Sequence, residues 1–545
     1  MKKIIRPIIT VLLLTASASC SKYLDQTEFY ELLQETSENL VIGEKLTNPY
    51  AISVMREALE RMREAGMNVP KTIEPNCLYV RFDIKDSLQY STLEKKGLEL
   101  YTYPLDYEIN SEGTESALTA DNQQPRWIYT TVPVNFNFSS APFCELLDSC
   151  YVPGCFPSTK GLDNMLDDIL EETAITVSGN DDGALTKSGA TIMPHGKLSV
   201  EYPSNNSIEP LKGVRVRSRY FLKSATAYTD SKGCYKIGTE FKRAPKMTVE
   251  FKNSKGFVVW DGLWVLSPAK MNIGKWSETN KYILITDKNA KWPFCILNNT
   301  VSDYYNYCLA ENIPPPPANF KIMMIEGGKN ENGGGCAPML RRLPVVYLKS
   351  ETKALDVLAD IALVPVTTMS LILFKWGMPD MIMRAGFMKE GISKELKYNI
   401  WHELSHVSHW RVAGNEFWCD YVSAIFTHGC DYGTSKARHS ELIDLGESCA
   451  LAMENYLYYI NNGRGVRYNS VDKFEDGIKF NYFFTSRILE DEIVTPSQMI
   501  KALGPKVRSI EDLKNALTTK YPDKKKDIEQ IWKQEYENRI DTKRL

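Results

Sequence analysis

The chain has 545 residues, 43% of them apolar and 24% charged, with a formal net charge of −3 and a pI of about 6.2. That length exceeds one ordinary domain and predicts a multidomain α+β protein of three or four units. The balanced charge excludes the basic stripe of a nucleic-acid-binding protein, so no nucleic-acid partner is expected.

The N-terminus reads as an export signal over residues 1–19. Lys2 and Lys3 precede an apolar run from Ile4 to Leu14, and small residues lead to Ser17-Ala18-Ser19-Cys20. The last four residues resemble a bacterial lipobox, with Ser17 where Leu is preferred. The resemblance implies that Cys20 is lipidated and anchors the protein to the outer membrane. Residues 20–36 are polar and read as a tether. The other long apolar run, Ile361 to Phe374, contains Pro365 and is too short to span a bilayer.

Residues 37–158 are expected to form an N-terminal α/β module. It opens with a helix through Ala65 that places Val54, Met55, Ala58, Leu59 and Met62 on one side, and strands follow at Cys77 to Phe82 and Trp127 to Val132. A short helix and the turn-rich Ser178-Gly179-Asn180-Asp181-Asp182-Gly183 follow. Residues 185–262 read as a β-sandwich, with strands at Lys197 to Glu201, Gly213 to Arg219, Ser224 to Tyr228 and Lys246 to Phe251. Residues 263–340 read as a bridging segment, with Pro314 to Pro317 as a stiff spacer. Its glycines, Gly327-Gly328 and Gly333 to Gly335, lack the Lys-Ser/Thr of a phosphate loop and read as a mobile loop.

Residues 341–545 read as mainly helical and carry the chemistry. Trp401-His402-Glu403-Leu404-Ser405-His406 contains His-Glu-x-x-His. On a helix, His402 and His406 share one face about 6 Å apart along the axis and can reach one ion. Glu403 sits about 100° round, poorly placed as a ligand and well placed to take a proton from water held by the ion. Ser393 is the expected N-cap and Gly414 the expected stop. Five of the six histidines lie in the 38 residues from His402 to His439.

A catalytic zinc usually takes three protein ligands. His409 is about 10 Å along the axis from His402, too far to share the ion with it and His406. A metzincin histidine is excluded, because position 412 is Val412. Glu447, opening a helix that ends at Asn461-Asn462-Gly463, fits best as the third ligand, with Glu416, Glu441 and Glu454 in reserve. Gly446 and Ala450 would let that helix approach closely. His439, His428 and Tyr432 are candidates to stabilise an oxyanion, and no spacing rule selects among them.

Twelve cysteines show no C-x-x-C and no disulfide framework. Cys144, Cys150 and Cys155 are close enough in sequence for one local bridge. Cys419, Cys430 and Cys449 lack structural-zinc spacing and read as small buried hydrophobes.

Two resemblances bear on function. Leu211 to Val216 followed by Ala227 to Tyr235 resembles the carboxypeptidase regulatory-like, transthyretin-type (Ig-like) sandwich domain, which is usually structural or binding. The whole layout resembles Bacteroidetes-type surface lipoproteins with such a sandwich and a C-terminal gluzincin-like, zincin-like domain. That resemblance implies metal roles for His402, His406 and Glu447, with a 41-residue spacing from His406 to Glu447 that departs from the thermolysin pattern. The expected function is a cell-surface zinc metallopeptidase acting on a peptide or protein substrate, with Zn²⁺ as cofactor and Glu403 as general base. The alternative is a surface ligand-binding lipoprotein on a non-catalytic zincin-like scaffold. A polysaccharide-degrading enzyme lacks an identifiable carboxylate pair.

Overall fold

The computed structural model describes residues 41–84, 87–111, 127–139, 141–156, 164–180, 191–203, 206–261, 268–279, 281–326, 334–343, 379–385, 392–428, 441–462 and 476–537. Cys20, the signal, the tether, the apolar run 361–374, Tyr432 and His439 lie outside them. So do the Gly327-Gly328 pair and Gly333. Among the described residues, no helix is long and apolar enough to cross a membrane.

The chain is mixed α+β, with several sheets and a mostly helical C-terminal region. It begins with β1 (Val41–Lys45), α1 (Ile52–Glu64), β2 (Cys77–Asp83), α2 (Ser87–Lys95), β3 (Tyr107–Ser111), β4 (Trp127–Pro133), β5 (Cys144–Cys150) and α3 (Asn164–Val177). The stripe Val54, Met55, Ala58, Leu59 and Met62 of α1 is buried as its spacing predicts. Strands β4, β2 and β5 form an antiparallel sheet in that order. β4 alternates buried and half-buried positions, the pattern of a strand with one face on a core.

Next come β6 (His195–Tyr202), β7 (Ser207–Pro210), β8 (Val214–Tyr220), β9 (Lys223–Tyr228), β10 (Cys234–Lys236), β11 (Lys246–Asn253), β12 (Phe257–Asp261), β13 (Lys270–Lys275) and β14 (Tyr282–Ile285). They divide between two sheets. β6, β7, β10 and β14 make a small four-stranded sheet; β8, β9, β11, β12 and β13 belong to an eight-stranded one. The turn between β9 and β10 is closed by Asp230, whose Oδ1 accepts from the N–H groups of Lys232 and Cys234, and Gly233 supplies φ +76°.

The large sheet does not stop at residue 262. After α4 (Trp292–Ala310) it takes in β15 (Phe320–Glu326), β16 (Gly334–Cys336) and β17 (Met381–Ala385), in the order β16-β17-β15-β12-β11-β8-β9. One core runs from Leu198 and Val216 through Phe294 and Met324 to Leu404 and Leu513. The stretch expected to bridge is therefore made of strands and a helix that build this core. β15 shows why: Phe320, Ile322, Met323 and Met324 are all buried, as a strand covered on both faces requires. The prolines are not a free spacer either. Pro316 and Pro317 are buried, and Pro314 accepts a hydrogen bond from the Ser408 hydroxyl.

The remaining elements are α5 (Ile392–His428), α6 (Glu441–Asn462), α7 (Asp476–Glu490), α8 (Pro496–Ala502), α9 (Ile510–Lys520) and α10 (Lys525–Ile531). α8 and α9 open with capping boxes from Thr495/Gln498 and Ser509/Asp512. α5 packs on α4, α6 and β16.

The N-terminal module meets the large sheet through a buried charge cluster. Glu250 on β11 is fully buried and pairs with Arg215 and Arg217 of β8, while Glu99 reaches both arginines at 3.2 and 2.8 Å. Burial alone would raise the Glu250 pKa, but the two guanidinium charges prevail and hold it well below the usual 4.5. A depressed carboxylate contributes stability that is present above pH 4.5 and is lost as pH falls through its folded value. Glu250→Gln should therefore destabilise the protein at pH 7 by about 3–5 kcal/mol, because Arg215 and Arg217 lose their buried partner and keep only the half-buried Glu99. The deficit should shrink toward pH 3, as denaturant unfolding at both pH values would show; an equal deficit at both would contradict the assignment.

Candidate metal centre

Helix α5 presents His402, Glu403 and His406 inward, and all three are buried. It begins at Ile392, so Ser393 falls within its first turn rather than at the cap. Gly414 does interrupt it, with φ +82° and ψ 177°, but helix resumes at once beyond the break. That kink turns the following residues back on the first limb. Trp418 and Tyr421 pack against the His406 ring, with centroids 6.3 and 5.8 Å away.

α6 supplies the third donor. Glu447 lies in its second turn, buried, with Oε2 3.0 Å from His402 Nε2 and Oε1 3.4 Å from His406 Nε2. The two Nε2 atoms are 3.1 Å apart. The two imidazole nitrogens thus converge with the Glu447 carboxylate, which meets one with each of its oxygens, through contacts of 3.0–3.4 Å. Tetrahedral bonds of about 2.0–2.1 Å place neighbouring ligand atoms about 3.3 Å apart, a spacing these side chains can meet. This buried His402, His406 and Glu447 group could hold a metal ion. The close approach needs Gly446, where a Cβ would lie 2.5 Å from the Tyr421 ring.

The donors are electrostatically coupled, and His402 must release a proton before it can ligate an ion. Burial would lower the His402 pKa, but hydrogen bonds and charge from Glu447 and Glu454 hold it well above 6.5. Burial would raise Glu447, and the two imidazoles hold it far below the carboxylate range. Burial dominates at His406 and pushes it down.

The other candidates fall elsewhere. Glu416 and Glu441 are exposed, and the His428 side chain lies outside the described residues. His409 is buried one turn beyond His406, between Phe417 and Trp418, with neither ring nitrogen hydrogen-bonded among the described residues. Burial pushes its pKa down to about 3, so it is a neutral imidazole.

Glu454 is not a ligand. Its Oε2 sits 3.2 Å from His402 Nδ1, on the far side of that ring from Glu447. It orients His402 and leaves Nε2 as the nitrogen that faces His406 and Glu447. Glu447 and Glu454 are seven residues apart, which puts both on one helix face, a signal present in the sequence. Glu454→Gln should weaken metal affinity by about 10–100-fold, measured by competition with a chromophoric chelator. An unchanged affinity would remove Glu454 from the centre.

Tyr421 is a residue that sequence reasoning missed: its hydroxyl donates to Glu447 Oε1 at 2.7 Å. No spacing rule marks it, because the kink at Gly414 brings it there.

Glu403 faces the edge strand β16. A Cβ on Gly335 would lie 2.8 Å from the Glu403 Cγ, so only glycine lets the strand lie this close. Burial pushes the Glu403 carboxyl up to about 8; Glu447 and Glu454 add to this, while His402 and the Ala337 N–H oppose it. A carboxyl tuned near neutrality can take up and release a proton at physiological pH.

Beyond β16, Arg341 and Arg342 are tied to β15 through Asp380, fully buried, which accepts from the two guanidinium groups at 3.1 and 2.8 Å and from the Lys321 N–H at 2.9 Å.

Compared with protein-family profiles, curated proteins and solved structures, the chain has no significant match.

Proposed function

We propose that this protein is a zinc-dependent peptidase of the cell envelope. The observation that carries the reading is the convergence of His402, His406 and Glu447 with Glu403 beside them, on one buried face. Two imidazoles and one carboxylate suit zinc and leave a fourth position for water or substrate. When bound, zinc supplies a Lewis acid that polarises a carbonyl and acidifies water.

The chain's own groups do the rest. His402, His406 and Glu447 hold the ion, while Glu454 and Tyr421 fix the orientation of His402 and Glu447. Glu403 accepts the proton of the attacking water and passes it to the leaving amine. The substrate is a peptide or protein. The signal at residues 1–19 and Cys20 support export and lipid anchoring to the outer membrane. Residues 185–262, with strands β6 to β12, are read as the transthyretin-like sandwich, and residues 341–545 as the zincin-like unit.

The test is metal analysis of the purified chain together with cleavage of a peptide library. One zinc per chain, and cleavage lost to a chelator and restored by zinc, is the expected result. Zinc without cleavage, or no zinc after reconstitution, would sink the peptidase reading and favour a ligand-binding lipoprotein on a non-catalytic zincin-like scaffold.

A further inference from the structure

Cys77 opens β2 and Cys150 closes β5, and the two are Cα partners in the antiparallel ladder. Directly opposed residues send their side chains to the same face of a sheet. Their Cα atoms lie about 4.5–5.5 Å apart in such ladders, within the roughly 4.4–6.8 Å that a disulfide spans. Both side chains are fully buried in the core that includes Tyr79, Tyr151 and Val152. The Cys77 Sγ is 3.7 Å from the Cys150 carbonyl oxygen, and the Asn48 amide reaches the Cys150 Sγ at 3.5 Å. The neighbouring Cys77 thiol, together with burial, holds the Cys150 pKa far above that of an ordinary thiol.

No other pairing competes as well. Cys144 stands at the opposite end of β5, facing Phe82, about 20 Å along the strand from Cys150. That rules out the Cys144–Cys150 bridge their closeness in sequence suggested. Cys155, half-buried just beyond β5, is the remaining neighbour.

We propose that Cys77 and Cys150, both thiols in this structure, form a cross-strand disulfide in the mature protein. The bond closes a loop that contains α2, β3 and β4, and so ties the central strand of the module to its edge. Each sulfur gives up its hydrogen and the S–S bond forms. The two electrons reduce the disulfide of an oxidant, either an extracytoplasmic thiol oxidase or, in the test tube, oxidised glutathione. Because both sulfurs are buried, exchange takes place as β2 and β5 pair during folding, and the finished core then shields the bond. The inference is independent of the metal centre.

The experiment uses the full chain, refolded in a glutathione redox buffer, blocked with N-ethylmaleimide in denaturant and digested without reductant. The expected product is the Cys77 peptide joined to the Cys150 peptide, two hydrogen masses lighter than the pair and separated by dithiothreitol. Maleimide on both cysteines, or Cys150 joined to Cys155, would overturn the proposal. In thermal unfolding, prior reduction should lower the midpoint of this module by about 10 °C, and a Cys77→Ala/Cys150→Ala variant should lose that dependence on reductant. A wild-type midpoint indifferent to reduction would also count against the bond, and the peptide map decides the matter even if the variant fails to fold.

Discussion

Glu403→Gln should lower turnover by about 10²–10⁴-fold, the usual contribution of a positioned general base, while zinc content stays that of the wild type. The amide is nearly isosteric with the carboxylate and cannot take a proton. Nothing in the ligand set changes, since Glu403 lies at the edge of the histidine face and Glu447 supplies the carboxylate. The substitution should also be mild for the fold. Burial holds the Glu403 carboxyl up to about 8 in the metal-free protein, so a neutral side chain already suits that position at pH 7. A peptide-cleavage assay beside metal analysis separates the cases: full activity in the variant would remove Glu403 from the mechanism, and loss of zinc would make it structural.

His402→Ala should have the largest effect on the centre, because this imidazole stands between two buried carboxylates. Glu447 lies on one side of the ring at 3.0 Å and Glu454 on the other at 3.2 Å. Metal binding should fall below detection, since a helix that offers only His406 and a partner carboxylate has lost a third of its donors. The fold should lose about 3–5 kcal/mol, the usual result of leaving buried charge uncompensated. Denaturant unfolding and metal analysis of the variant beside the wild type would show both losses; wild-type stability, or retained stoichiometric zinc, would contradict this arrangement.

Much of the centre was legible in the sequence because helical spacing is a local property. The spacing of four from His402 to His406 fixes their shared face whatever surrounds the helix. The same argument excluded His409 as a ligand, and the structure leaves its ring among aromatic side chains. The α1 stripe and the strands around Val216 and Val249 were readable for the same reason, since burial on one face imposes a period. α4 was not readable. Its buried residues run all the way round, from Trp292 and Phe294 to Asn298, Tyr304 and Cys308, so no stripe announces it. β15 was missed for a like cause, because a strand covered on both faces loses its alternation.

By itself the sequence determined the identity and spacing of the two imidazoles, the place of Glu403 beside them, and the absence of a basic footprint. Only the tertiary structure decided among the distant carboxylates. Glu447, Glu454, Glu441 and Glu416 are alike as residues; what separates them is where α6 crosses α5 and how the Gly414 kink folds Tyr421 back onto Glu447. It likewise decided that the described residues between 262 and 340 build sheet and core, and that Cys77 meets Cys150 across 73 positions of chain. Contacts of that range depend on how whole elements pack, and no local period records them.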